Sequence, residues 1–123
     1  MPVLKPFAAV VFAVLVMSAA LAGERPLTGD EIRAALSGNT VEGVQDGADW
    51  KQYFDRNGQT TYVSGGRASP GRWAVRGDRY CSQWPPSERW DCYRMTGEGD
   101  RMTFVPAGGG ANWPAKVKKG NRL

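Results

Sequence analysis

Histidine is absent from the 123 residues of this chain. That removes Ser–His and Cys–His nucleophile systems, histidine general bases and most zinc sites. Cysteine is nearly as scarce, at Cys81 and Cys92 only. Ten residues separate them, so they do not form the C-x-x-C of a thioredoxin-like redox centre or a covalent haem site. Gly108-Gly109-Gly110 is followed neither by Lys-Ser/Thr nor by a helix opening, which excludes a phosphate loop. The carboxylates form no specific catalytic pair. Asp46, Asp49 and Asp55 gather round one turn signal, Glu88 and Asp91 flank another, and each reads as a solvated turn residue. No internal repeat stands out. The sequence nominates no catalytic, metal-ligating or cofactor-binding residue, and the expectation is a non-enzyme without a cofactor.

One long hydrophobic run is present, and it is N-terminal. Lys5 precedes the unbroken apolar stretch Phe7 to Met17. Ala20-x-Ala22 then gives a small-x-small pattern, and charge begins at Glu24 and Arg25. This is the order of a signal peptide. It predicts cleavage after Ala22, a periplasmic or secreted product with no stable membrane span, and one small domain over 23–123. Sixteen Lys and Arg against twelve Asp and Glu give a formal net charge of +4. So mild an excess admits an anionic glycan as partner, while export argues against nucleic acid. In an exported chain two cysteines read as one disulfide, Cys81–Cys92. Closing a loop of that size contributes about 3 kcal/mol.

Thr28-Gly29-Asp30-Glu31 is a capping box, with Ile32, Ala35 and Leu36 at helical spacing behind it and Ser37-Gly38-Asn39 as the stop. It predicts one short helix docked over an end or a face of a sheet. The period then changes. Strands are expected over Thr40–Val44, Asp49–Phe54 and Gln59–Ser64, with Asn57-Gly58 as a hairpin turn. Gly65 to Gly71 reads as a loop. Strands follow at Arg72–Val75, Arg79–Trp84, Arg89–Met95 and Arg101–Val105. Pro106 to Pro114 reads as a flexible loop and Ala115 to Leu123 as a last short strand. Arg76-Gly77-Asp78 spells an adhesion tripeptide, but Gly and Asp are ordinary turn residues. About seven strands joined by hairpins predict a mainly β fold: an antiparallel meander, closed or half-closed into a small barrel, with one N-terminal helix.

The stretch from Arg72 to Met95 holds both cysteines and three of the five tryptophans. With Pro86 and Ser87 at the hairpin tip, paired residue numbers sum to 173. Cys81 then faces Cys92, Tyr80 faces Tyr93 and Ser82 faces Asp91. Cys81, Gln83, Trp90 and Cys92 share one face; Tyr80, Ser82, Trp84, Asp91, Tyr93 and Met95 share the other. The Tyr80/Tyr93/Met95 face is expected to be core, with the disulfide nearer the surface.

The motifs LTGDEIRAALSGNTV, YFDRNGQ, GRW, DRYCSQW with CYR, and KKGN, spanning Leu27 to Asn121, resemble a family of short exported proteobacterial proteins without established function. F-x-x-N-G followed by G-R-W-x-V-x-G-D-R is also similar to lipocalin-like meander barrels. That second resemblance implies a barrel holding a small apolar ligand.

Trp50, Tyr53, Trp73, Trp84, Trp90 and Trp113 supply stacking surfaces interleaved with arginine. The first functional expectation is a non-enzymatic binding or structural module of the cell envelope. Its partner is an envelope protein or an anionic glycan, met through Trp84, Trp90, Arg79 and Arg94. The second is a small-ligand carrier of lipocalin-like type, and the third a carboxylate-based hydrolase. An apolar interior cavity favours the second over the first. Two carboxylates about 5–9 Å apart in a cleft favour the third.

Overall fold

The capping box forms as the sequence predicts. The computed structural model describes residues 24–123, so the expected leader 1–22 and its cleavage position lie outside the described residues. A two-residue strand, β1 (Arg25–Pro26), precedes the helix α1 (Gly29–Leu36). Thr28 caps α1: its hydroxyl accepts the Glu31 N–H, and the Glu31 carboxylate accepts the Thr28 N–H. Arg25 pairs with the same carboxylate, and that hydrogen bond leads the pull of its pKa down to about 2. Gly38, with φ of 75°, ends the helix. Ile32 and Leu36 share one stripe and are fully buried. Among the described residues no helix is long and apolar enough to cross a membrane.

Eight strands follow: β2 (Asn39–Gln45), β3 (Ala48–Phe54), β4 (Gln59–Ser64), β5 (Arg67–Arg76), β6 (Arg79–Gln83), β7 (Trp90–Glu98), β8 (Arg101–Pro106) and β9 (Trp113–Lys119). Each pairs antiparallel with the next. β9 then returns to β2, with Val41 opposite Val117, so the meander is a closed eight-stranded barrel. β1 pairs with β7 at Thr96 and Gly97, beyond Arg94, where the pairing of β7 with β6 stops.

Three strands are longer than their composition suggests. Arg67 to Gly71 is strand rather than loop, despite Pro70. The bond from Trp73 N–H to Gly58 O fixes the phase of the β4–β5 ladder. Pro70, opposite Thr61, then falls in a non-hydrogen-bonded pair where no N–H is needed. Nor does β6 reach this stretch, since it pairs only with Arg72 to Arg76. Thr96 to Glu98 continues β7 through pairing with β8, and β9 starts at Trp113 inside the expected loop.

The 79–95 hairpin has the expected register, Tyr80 to Tyr93, Cys81 to Cys92 and Ser82 to Asp91. The disulfide is formed, with Cα atoms 4.0 Å apart. Ala107 N–H donates to Cys92 O, so the Cys92 backbone groups face away from β6, and the cystine spans a non-hydrogen-bonded pair. Tyr80, Tyr93 and Met95 face inward as expected. The cystine is on the outer face as expected, with Cys92 half-buried, while Cys81 itself is 0% exposed. The register sets Ala74, Cys81 and Cys92 in one row. Arg76 stands on one side of that row and Trp90 on the other, yet the Arg76 guanidinium lies 4.6 Å from the Trp90 ring centre. This cation–π contact reaches across the row and roofs the cystine.

Helix α1 closes one end of the barrel. Gly38 N–H donates to Phe54 O, and the Arg33 guanidinium donates to Val75 O. Gly29 N–H donates to the Asp78 carboxylate at 2.8 Å, which gives the Arg76-Gly77-Asp78 turn its role in holding the helix N-terminus. The approach requires glycine: a Cβ at Gly29 would stand 2.1 Å from Gly77 O. Beneath the helix Ile32, Leu36, Val41, Phe54, Met95 and Met102 belong to one buried cluster. Among the described residues, the opposite end of the barrel has no such plug.

Candidate functional site

At that opposite end most of the inward-facing residues are aromatic, with Gln52 and Ser82 among them. A cavity of about 290 Å³ opens there. It is lined by Trp50 and Gln52 of β3, Tyr62 of β4, Tyr80 and Ser82 of β6, Trp84 just after β6, Tyr93 of β7, Phe104 of β8 and Trp113 of β9. The strand alternation that aims Tyr80 inward also aims Ser82 and Trp84, one step further towards the mouth each time.

The rings form walls set at defined angles. Trp50 and Tyr62, on neighbouring strands, lie 6.0 Å apart at 25° and make one continuous wall. Trp113 stands nearly perpendicular to Trp50, at 77° and 5.7 Å. Trp84 stands nearly perpendicular to Tyr62, at 73° and 6.1 Å. Together these four rings enclose three sides of a box. Tyr93 and Phe104, at 90° and 6.1 Å, line the remaining side, and the Tyr80–Phe104 contact at 5.2 Å lies at the base.

Two glycines make room for the indoles. A Cβ at Gly43 would stand 2.7 Å from Trp50 Cε2 and Cζ2. A Cβ at Gly71 would stand 2.5 Å from Trp84 Cε3 and 2.8 Å from Gln83 O. Each indole therefore lies flat against a glycine of the adjacent strand, and both walls are held in place without a ligand. The fit leaves the buried Trp50 Nε1 without a hydrogen-bond partner.

The base of the cup is polar and internally connected. Gln52 Nε2 donates to Thr60 Oγ1 and to the Tyr80 hydroxyl oxygen, both at 3.0 Å. Thr60 Oγ1 donates to Tyr53 O at 2.7 Å, and Trp84 Nε1 donates to Ser82 Oγ at 3.2 Å. Burial pushes the Tyr80 phenol well above its ordinary pKa, against the opposing hydrogen bonds from Ser82 and Gln52. Tyr93 is raised too, first by burial and then by the nearby Asp91 charge. No Lys, Arg, Asp or Glu is among the lining residues. Among the described residues no group of His, Cys, Asp and Glu is arranged to hold a metal ion.

The four residues expected to form a contact patch do not share one surface. Trp84 is a wall of the cup. Trp90 faces outward under Arg76. Arg79 and Arg94 are directly opposed on β6 and β7, exposed, on the outer face. Tyr53 also points away from the interior, between inward-facing Gln52 and Phe54. Trp50, Tyr62, Tyr80, Tyr93, Phe104 and Trp113 converge from six strands. The available signal was strand parity: Trp50 alternates in phase with Phe54, Tyr80 and Tyr93 with Met95, and Phe104 with Met102, and all of the six but Tyr80 sit at or towards the open end of their strands.

No family model, no curated protein and no solved structure matches this chain.

Proposed function

We propose that this protein binds one small molecule in the aromatic cup, through rings or methyl groups that pack on the aromatic faces, and does so without catalysis. The observation that carries the reading is the box of rings around an open cavity of about 290 Å³. That is close to the lower end of ordinary ligand pockets, at about 300 Å³. An eight-stranded barrel has an interior that side chains either fill or leave open for one small ligand. Here they fill the helix end and leave the other open. The seating of Trp50 and Trp84 on glycines supports binding without rearrangement, which lowers the ordering cost of association.

Among the three sequence expectations, this reading corresponds to the small-ligand carrier. An anionic glycan finds no cation in the cup lining, and a carboxylate-based hydrolase finds no carboxylate there. Export to an oxidising compartment fits the Cys81–Cys92 disulfide and the N-terminal sequence pattern, and forms part of the proposal.

Thermal unfolding with a neutral ring compound such as naphthol tests the reading. At a ligand concentration a hundred times Kd, stabilisation is about 2.7 kcal/mol, a shift of several degrees in Tm. The shift should saturate and be lost in Trp84→Leu. A Tm unchanged by neutral ring compounds and by methyl-rich molecules of this size alike contradicts the proposal.

A further inference from the structure

We infer that the preferred ligand of the cup is a methylated ammonium cation. The inference rests on the reading of the cup as a ligand site and specifies what it selects. Three sides of the box are indole and phenol rings set close to right angles. Aromatic faces carry negative quadrupole density, and a cation enclosed by several of them is attracted to each in turn.

The electrostatics of the mouth point the same way. The connections at the open end, taken with the strand residues that flank them, are residues 45–50, 63–68, 83–91 and 106–113. They hold four carboxylates, Asp46, Asp49, Glu88 and Asp91, and two arginines, Arg67 and Arg89. Arg89 is engaged with Asp91 at 3.1 Å. The chain as a whole has a formal net charge of +4, so its excess of bases lies elsewhere and the cup opens at an acidic end. Such a field gathers cations at the entrance and repels anions.

The lining decides between kinds of cation. A primary ammonium has three N–H donors and is strongly hydrated, so burial requires acceptors or a carboxylate. The cup has no carboxylate, and the hydroxyl oxygens of Tyr80 and Ser82 already accept from Gln52 Nε2 and Trp84 Nε1. A quaternary ammonium has no N–H to satisfy and presents methyl groups to the rings. A sugar needs many hydrogen bonds, and the ring walls offer few.

The test uses the oxidised protein, intrinsic tryptophan fluorescence and two probes of the same shape. One is choline. The other is neopentyl carbinol, in which a quaternary carbon replaces the nitrogen. The expected result is saturable choline binding at least about tenfold tighter than the neutral isostere. Choline affinity should fall as salt rises. It should also fall in the combined variant Asp46→Asn, Asp49→Asn, Glu88→Gln, with the isostere unaffected. Equal or tighter binding of the isostere overturns the inference and leaves the cup reading intact. So does binding of naphthol with none of choline. If none of the three probes binds, both the inference and the cup reading fall.

Discussion

The two ends of this barrel use the same alternation of residues for opposite purposes. At the helix end, Ile32, Leu36, Phe54 and Met95 are almost fully buried, and Trp73 donates its indole N–H to Asp55 O at 2.8 Å. At the open end, Tyr62, Trp84, Tyr93 and Trp113 are only half-buried, and Trp50 keeps an unpartnered indole N–H. Large rings used as filler find neighbours on all sides. Large rings used as walls leave one face without protein contact, which forgoes packing energy unless something else covers it. The contrast separates the part of the molecule that stabilises the fold from the part available for binding.

Substitutions should divide along the same line. Leu36→Ala, under the helix plug, removes a fully buried side chain from a filled region and should cost about 2–5 kcal/mol. Urea unfolding measures this, and the cup should still bind its ligand at temperatures where the variant is folded. A loss below about 1 kcal/mol would mean that the helix end is not the stabilising half. Replacing both Cys81 and Cys92 by serine should cost about 3 kcal/mol, since the bridge closes a short loop. Retained ligand affinity would place the cystine on the stabilising side of the division; loss of affinity in the folded variant would tie it to the cup.

Gly71→Ala strikes the open end. Its new methyl meets Trp84 and the Gln83 carbonyl, so the indole must leave its seat. About 1–3 kcal/mol of stability should be lost, together with most of the ligand affinity. Affinity unchanged in this variant would show that Trp84 is not a functional wall.

Alkaline pH produces a smaller effect. The folded-state pKa values of Tyr80 and Tyr93 lie above the ordinary phenol value of 10.0. Their contribution is complete below pH 10 and falls as pH rises beyond it, because the unfolded chain deprotonates first. Tm measured between pH 9 and about 11 should therefore decline, and less steeply in Tyr80→Phe. A curve as steep in that variant would remove Tyr80 as the source. The smallest effect belongs to Glu31, whose folded pKa of about 2 lies below the ordinary 4.5. Its contribution is present above pH 4.5 and fades as pH falls towards 2. The group is exposed, so solvent screening keeps the change small. Arg25→Ala should reduce this acid-side slope and leave ligand binding unchanged.

Much of the fold is legible in the residues. The capping box at Thr28 and Glu31 and the hairpin register through Cys81 and Cys92 follow from local rules, because both depend on neighbours close in the chain. Arg67 to Gly71 was obscured by Pro70 and two flanking glycines, and only the phase of the β4–β5 ladder explains why proline is tolerated there. Trp113 was obscured by the glycine run before it. Barrel closure through β2 and β9 joins strands whose residues are some seventy-five apart, a pairing that no local pattern specifies. The cup depends on that closure. Trp84 and Trp90 look equivalent in sequence, six residues apart across a proline turn, but the hairpin sends one inward and the other outward over the cystine.

The five indole N–H groups offer the most direct measurement, one reporter for each part of the molecule. Trp50, Trp84 and Trp113 belong to the cup, Trp73 to the closed end and Trp90 to the outer face. In two-dimensional NMR spectra titrated with choline or naphthol, the three cup indoles should shift together and saturate while Trp73 and Trp90 stay in place. Shifts confined to Trp90, or spread equally over all five, would contradict the assignment of the open end as the ligand site.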